Sequence, residues 1–162
     1  MNNLPKRKQN RLNHYDYSQN GAYFITICTI DRKPLLSRIT VGAHIVRPPI
    51  TELSNYGEIV KEKINNIPLH YDNVLIDNYV IMPNHIHLII NITENGRTMC
   101  APTISRIIKH FKESVTKSIG CCIWQKGFYD HIIRDEEDYL TKCQYIENNP
   151  TKWLEDELYI KS

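Results

Sequence analysis

Some segments of the chain are short apolar runs typical of β-strands, and others repeat apolar residues every three or four positions, as helices do, so we expect a mixture of strands and helices. Three segments rich in β-branched and aromatic residues predict β-strands over 21–30, 73–82 and 85–92. Pro83-Asn84 separates the last two and predicts a turn, so we expect these strands to form a hairpin. The shorter segment 129–134 predicts a fourth strand.

Three other segments carry apolar residues at helical spacing. They predict helices over residues 52–66, 103–118 and about 136–148. Helix-breaking residues mark the three predicted ends, namely Pro68, Gly120 and Pro150. Between the first strand and the first helix, residues 31–50 contain three prolines and little periodicity, which predicts a long loop or an edge excursion.

The order of these elements predicts an α+β fold. Strand, helix, strand, strand, helix, strand is the ferredoxin-like split βαβ pattern, an antiparallel sheet covered by helices on one face. A further helix follows at the C-terminus. The chain has 162 residues without internal repeats or a convincing linker, so we expect one domain over 1–162 with a basic N-terminal tail over 1–14.

Composition is that of a globular protein, with 41% apolar and 23% charged residues. No apolar run approaches the roughly 20 residues of a membrane span. The basic N-terminus has no apolar segment behind it, which argues against a secretory signal, so we expect a cytoplasmic protein. The five cysteines form no C-x-x-C pair, which predicts neither a disulfide framework nor a zinc knuckle.

Basic residues are concentrated locally, although the formal net charge is only +2. Such patches can hold phosphates even when the total charge is nearly balanced. The candidate DNA-binding residues are Lys6, Arg7, Lys8 and Arg11 in the tail and Arg106, Lys109 and Lys112 along the second helix. The alternative interpretation is a solvated tail and a solvated helix face.

Two histidines interrupt the apolar strand 85–92. Side chains two residues apart point to the same face of a strand, so His85 and His87 project together while Ile86 points to the opposite side. Neighbouring imidazoles form half of a metal site. The alternative is an accidental pair on a solvent-exposed face.

A tyrosine and an asparagine share one face of the last predicted helix. Tyr145 and Asn149 are four residues apart, which is one helical turn. A phenol can act as a nucleophile, and a carboxamide oxygen can bind a hard cation. The alternative is a tyrosine packed on the sheet and an asparagine that ends the helix before Pro150.

Three motifs together resemble the HUH-type single-tyrosine transposases, in which "HUH" denotes histidine, hydrophobe, histidine. They are MPNHIHLI at 82–89, IWQKGFYDHIIRDEEDY at 123–139 and YIENNPTKW at 145–153. The chain most closely resembles the REP-associated tyrosine transposases and their insertion-sequence relatives. The similarity extends from about Tyr15 to Trp153.

This resemblance implies a role for each candidate residue. His85 and His87 match the metal-binding pair, Tyr145 matches the nucleophile, and Asn149 stands where the family has a further ligand. The resemblance also implies the split ferredoxin-like fold with a C-terminal helix that carries the tyrosine, and Mg²⁺ or Mn²⁺ as the metal. The implied activity cleaves and rejoins single-stranded DNA, often next to a small hairpin, through a 5′-phosphotyrosine.

Alternatives remain open on the residues alone. Tyr129 is the second candidate nucleophile. A metal-dependent phosphodiesterase would use the same metal site with water as the nucleophile. A non-catalytic, RRM-like module would bind single strands by stacking bases on aromatic residues of the sheet, for which Tyr23, Phe24 and Tyr79 are a partial set. The sequence is compatible with a monomer or a homodimer and suggests no membrane partner.

Overall fold

The computed structural model describes residues 20–40, 49–93 and 103–159. The predicted basic tail, with Lys6, Arg7, Lys8 and Arg11, lies outside the described residues, as do Tyr15 and Pro102. The predicted contact of that tail with DNA therefore stays a prediction. None of the helices within the described ranges has an apolar stretch long enough to cross a bilayer.

The order of elements follows the predicted one, with a small hairpin added. The strands are β1 (Gly21–Cys28), β2 (Ser37–Thr40), β3 (Ile50–Leu53), β4 (Val74–Ile81), β5 (His85–Ile92) and β6 (Tyr129–Ile133). The helices are α1 (Asn55–Asn65), α2 (Ile67–His70), α3 (Ile104–Ile119) and α4 (Glu136–Asn148). Short 3₁₀ turns lie at Ile30–Arg32 and Trp153–Glu155.

The main sheet has the strand order β4-β5-β1-β6, and every pairing is antiparallel. This is the order of a split βαβ fold, in which the first and third strands of the repeat lie at the centre of the sheet. The register pairs Thr26 with His87 and Phe24 with Ile89, so the histidine strand is central and paired on both sides. The predicted α+β class is confirmed.

The segment 31–50 is the main departure from the predicted elements. It contains β2 and the start of β3, which pair in a separate two-stranded sheet. Four-residue strands are too short to show a clear alternation, which is why the sequence predicts a loop there. As predicted, α1 ends before Pro68; that proline then lies in the first turn of the short α2, where its missing N–H costs no helical hydrogen bond.

Alternating side chains sort the apolar residues into two cores. On one face, residues such as Ile25 and Leu88 pack with the apolar sides of α1 and α3. On the other face, Phe24 and Ile89 pack against Ile146 of α4. The sequence predicts helices on one face, and α4 adds a helical layer on the other.

Side-chain caps define where the three long helices begin. The backbone N–H of Gly57 donates to the Ser54 hydroxyl, and the N–H groups of Arg106 and Asp138 are capped by Thr103 and Asp135. At the other end of α3, Gly120 adopts φ 84°, as its predicted role at the helix terminus requires.

The start of α1 packs so closely against the chain before it that only glycine fits at position 57. A Cβ added to Gly57 would collide with the backbone carbonyl oxygen of the buried Leu36. We therefore expect Gly57→Ala to lower the free energy of unfolding by at least about 2 kcal/mol, although alanine is the better helix former by about 1 kcal/mol. The control is Lys61→Ala, at an exposed position in the same helix, which should leave stability nearly unchanged. Urea denaturation of both variants makes the comparison, and a more stable Gly57→Ala protein would contradict the packing.

Candidate active site

The two histidines lie on the α4 side of the sheet. Ile86 and Leu88 point from β5 into the core with α1 and α3, so the period of two directs His85 and His87 to the opposite face. Their side chains are 0% and 2% exposed, respectively. The alternative interpretation of solvent-exposed histidines is therefore wrong.

Hydrogen bonds fix both rings with their Nε2 atoms facing each other. His85 Nδ1 lies 2.8 Å from the Asn84 carboxamide oxygen, which can only accept, so Nδ1 carries the proton and Nε2 presents a lone pair. His87 Nδ1 lies 2.8 Å from the Thr26 hydroxyl, and the two Nε2 atoms are 3.0 Å apart. Two lone pairs at this distance repel unless a proton or a cation lies between them.

Burial keeps both imidazoles neutral. It lowers the pKa of each to about 3, and the positive charge of Arg32 adds to the effect at His85. At His87 the neighbouring imidazole of His85 is the second cause. Neutral imidazole is the form that binds a metal ion, so the pair is ready to act as ligand at neutral pH.

Asp156 is a third candidate ligand, which the sequence reasoning missed. Its carboxylate and the two imidazoles offer ligand atoms that all lie within 4.8 Å of one another. Asn149 Nδ2 donates to one carboxylate oxygen at 3.2 Å, and the backbone N–H of Leu158 donates to the other at 2.7 Å. Asp156 follows a short 3₁₀ turn rather than a regular element, so no periodicity in the sequence points to it.

The segment after α4 is held against the histidines by its own contacts. Trp153 is buried, with its ring 6.0 Å from that of His85. Asn84 Nδ2 donates to the Leu158 carbonyl at 2.7 Å, so the residue that orients His85 also holds this segment. These contacts bring Asp156 to the histidines.

Tyr145 lies beside the histidine pair in the same chain. Its ring centroid is 5.2 Å from that of His87 and 5.8 Å from that of Phe24, in edge-to-face geometry. It is 46% exposed, which leaves the side chain accessible to a ligand. Burial and then the charge of Asp156 raise the pKa of Tyr145, while hydrogen bonding with Asn149 works in the opposite direction.

Asn149 is buried at the end of α4, where it contacts Asp156. Its amide nitrogen donates to Asp156, but its Oδ1 accepts no hydrogen bond from the described residues. A buried carbonyl oxygen without a partner is costly unless another donor or a cation reaches it. Its predicted role as a metal ligand stays a prediction that this arrangement favours.

The donor set fits a hard divalent cation. Two imidazole nitrogens and a carboxylate converge from β5 and the segment after α4, and the Asn149 carboxamide hydrogen-bonds to that carboxylate. Ligands at about 2.1 Å from an octahedral ion and at right angles to each other are about 3.0 Å apart. The distance between the two Nε2 atoms is 3.0 Å. Mixed nitrogen and oxygen ligands suit Mn²⁺ and accommodate Mg²⁺.

Next to these ligands is an open cavity of about 630 Å³. Its wall includes His87, Tyr145 and Asp156, together with three cationic side chains, those of Arg32, Lys126 and Lys142. The cavity can therefore admit an anionic polymer to the candidate ligands.

Two other tyrosines occupy different positions. Tyr129, the alternative nucleophile, is also exposed in the cavity wall, so position alone does not exclude it. Tyr139 packs against the α4 core and donates to Asp77 of β4 at 3.4 Å. Burial followed by the charge of Asp77 raises the pKa of Tyr139 to about 12.

The predicted basic residues of α3 lie on the other helical layer. The Lys112 ammonium donates to the carbonyl oxygens of Gln125 and Gly127 and so supports one wall of the cavity. Lys109 is 3.8 Å from Glu113. Arg106 lines a second cavity between the helices. Their contact with DNA stays a prediction.

No protein-family profile matches the chain. A Haemophilus influenzae protein described only as uncharacterised is 38% identical over 175 residues, covering 95% of this chain and 93% of the relative. A second protein of that species, named for the REP-associated tyrosine transposases, is 26% identical over 85% of this chain and 74% of its own. The REP-associated tyrosine transposase of Escherichia coli is 32% identical over 48% of this chain and 44% of its own.

A solved structure has the same fold. It is a REP-associated tyrosine transposase bound to a REP hairpin, with a TM-score of 0.65 and 23% identity. The match covers 88% of this chain and 74% of that one. It confirms the split βαβ architecture.

The free energy of unfolding should fall with acidification, because the two histidines take up protons in the unfolded chain but stay neutral when buried. The stabilisation from their burial as neutral rings is fully present above pH 6.5 and is lost as pH falls from 6.5 towards about 3. Each imidazole contributes at most about 1.4 kcal/mol per pH unit in that window. We expect His87→Gln to reduce this slope and His70→Gln, at an exposed histidine, to change it little. Urea denaturation with EDTA between pH 4.5 and 7 measures it, and equal slopes for wild type and His87→Gln would contradict the burial.

Proposed function

Because this chain belongs to the family of REP-associated tyrosine transposases, HUH-type enzymes with a single tyrosine, we propose that it cleaves and rejoins single-stranded DNA through a covalent bond to Tyr145. The observation that carries the proposal is the position of Tyr145. Its ring is 5.2 Å from that of His87, within one chain and at the edge of an open cavity. No second subunit is needed to bring the tyrosine to the histidines.

The proposed substrate is single-stranded DNA next to a small hairpin. The solved neighbour is bound to a REP hairpin, and the cavity of this chain carries Arg32, Lys126 and Lys142 around the tyrosine. These cations suit the phosphates of a strand whose bases are free to enter the cavity.

The proposed chemistry is an in-line exchange at phosphorus. The Tyr145 phenol oxygen bonds to phosphorus while the bond to the 3′ oxygen breaks, which leaves a 5′-phosphotyrosine and a free 3′-hydroxyl. The phenolic proton leaves to water in the open cavity, and the departing 3′ oxygen takes up a proton. A 3′-hydroxyl that attacks the phosphotyrosine reverses the step and joins strands without ATP, because the phosphodiester energy is kept in the covalent bond.

His85, His87, Asp156 and Asn149 would hold the divalent metal. When bound, Mg²⁺ or Mn²⁺ supplies a Lewis acid that withdraws charge from the scissile phosphate and stabilises the developing negative charge. Burial and Asp156 raise the pKa of Tyr145, so a neutral phenol predominates until positive charge enters the site. Lys142, one turn before Tyr145 on α4, is placed to offset the charge of the phosphate.

Two alternative functions have less support. A phosphodiesterase would leave Tyr145 without a chemical role, although its side chain lies half-exposed at the metal ligands. An RRM-like binding module would stack bases on exposed aromatic residues, but Tyr23 and Phe24 are only 0% and 5% exposed, and Tyr79 packs against the main core. Covalent cleavage gives a chemical role to both Tyr145 and the histidine pair.

Removal of the phenol oxygen should abolish strand cleavage. We expect Tyr145→Phe to lose the covalent adduct and to slow cleavage by a factor on the order of 10³ or more, because the nucleophile is gone. A labelled single-stranded hairpin substrate with Mn²⁺, analysed by denaturing electrophoresis, detects the protein-linked band. The matched control is Tyr129→Phe, in the same cavity, which should still form the adduct. Cleavage by Tyr145→Phe without an adduct would favour hydrolysis, and loss only in Tyr129→Phe would reassign the nucleophile.

Neutralising the carboxylate beside the histidines should weaken the metal site. We expect Asp156→Asn to lower Mn²⁺ affinity and cleavage about 10- to 100-fold, because a charged ligand is replaced by a neutral one. Glu157→Gln removes the neighbouring carboxylate of the same cavity and should change both much less. Titration calorimetry with Mn²⁺ measures the affinity independently of activity. Equal effects of the two substitutions would exclude Asp156 as a ligand and point to general electrostatics.

A further inference from the structure

A second cavity lies on the opposite side of the sheet from Tyr145. It has a volume of about 560 Å³ and is formed where α1, α2 and α3 meet. We call it the basic groove, since its wall carries Lys63, His70, Arg106 and His110. The proposed cleavage chemistry uses none of these residues.

The wall of the basic groove is organised by a pair of aromatic rings. The Tyr71 hydroxyl and His110 Nδ1 are 2.5 Å apart, and the two rings are stacked with centroids at 6.2 Å. Burial raises the pKa of Tyr71, whereas the nearby Arg106 guanidinium acts to lower it. Arg106 and this pair of rings line the same cavity.

The charges in the groove leave a cation available for a ligand. Lys63 is 2.8 Å from Glu62, and Glu113, the acidic residue in the wall, is 3.8 Å from Lys109. Arg106 makes no ion pair with any of the described residues. A guanidinium presents a planar fork of N–H donors that matches the oxygens of a phosphate.

We propose that the basic groove binds a backbone phosphate of the DNA that is cleaved, at a distance from the scissile bond. Arg106, the cation of the groove wall that makes no ion pair with the described residues, contacts the phosphate oxygens. The inference rests on the proposed function, because it assigns a second contact to the same DNA molecule.

The location of the groove defines the shape of DNA that can occupy both sites. The helices α1 and α3 pack on one face of the sheet, while Tyr145 lies on the other with α4. A DNA molecule that reaches both must pass around an edge of the sheet. A hairpin with a single-stranded arm meets this requirement, since its two parts can take different directions; a short single strand fills the catalytic cavity alone.

Binding measurements on matched variants test the groove. All variants are made in the Tyr145→Phe protein so that no DNA is cut, and affinity for a hairpin with a single-stranded arm is measured by fluorescence anisotropy at several salt concentrations. Arg106→Ala should weaken binding about five- to tenfold and reduce the salt slope by about 1. Lys109→Ala, one turn further along α3 and outside the groove, is the control and should have a smaller effect. Lys63→Ala, at the lysine paired with Glu62, and Lys61→Ala, elsewhere on α1, should both weaken binding less than Arg106→Ala does.

A modified DNA tests whether the contact is to one phosphate. Methylphosphonate linkages remove the charge of single phosphates along the arm and the stem. A methylphosphonate at one particular linkage should weaken binding to the protein that retains Arg106 but should not change binding to Arg106→Ala. Equal losses in Arg106→Ala and Lys109→Ala, or additive effects at every linkage, would overturn the proposal. If the wild-type protein binds this DNA without cutting it, the proposed function fails, while these comparisons still decide whether the groove binds phosphate.

Discussion

The candidate active site depends on two imidazoles buried side by side in a central strand. Alternate residues of β5 point into the main core, so the side chains of residues 85 and 87 lie together on the opposite face of the sheet. Burial holds both rings neutral, and Asn84 and Thr26 orient them. The buried face of the sheet at this point therefore holds two rigidly oriented imidazoles that can act as metal ligands.

Helix α4 serves both packing and chemistry through adjacent residues. Ile146 is buried against Phe24 and Ile89 and fixes the helix on the sheet. Tyr145, about 100° away around the helix, then lies over His87 rather than within that core. Packing energy from one residue therefore positions the nucleophile that we propose, and the segment after the helix brings Asp156 to the same place.

The electrostatics of the site favour a cation. Burial and then the charge of Asp156 raise the pKa of Tyr145, and the lone pair of His85 Nε2 lies 3.0 Å from His87 Nε2. A divalent ion bound by these groups would offset the charge of Asp156 and would lower the proton affinity of the phenol. We propose that the cations around the cavity contact the phosphates near the scissile bond. The separate basic groove would contact a phosphate elsewhere in the same DNA.

The sequence alone determined the order of the four main-sheet strands and the three long helices, the shared face of His85 and His87, and the bounds of β5 and α4, because long elements with strong periodicity encode their own geometry. It also singled out Tyr145 and Asn149 as neighbours on one helix. Only the tertiary structure decided that α4 covers the histidine face, that the histidines are buried, and that Asp156 joins them. Residue 156 reaches the site through contacts of Trp153, Asn84 and Asn149, which come from distant parts of the chain and leave no local pattern.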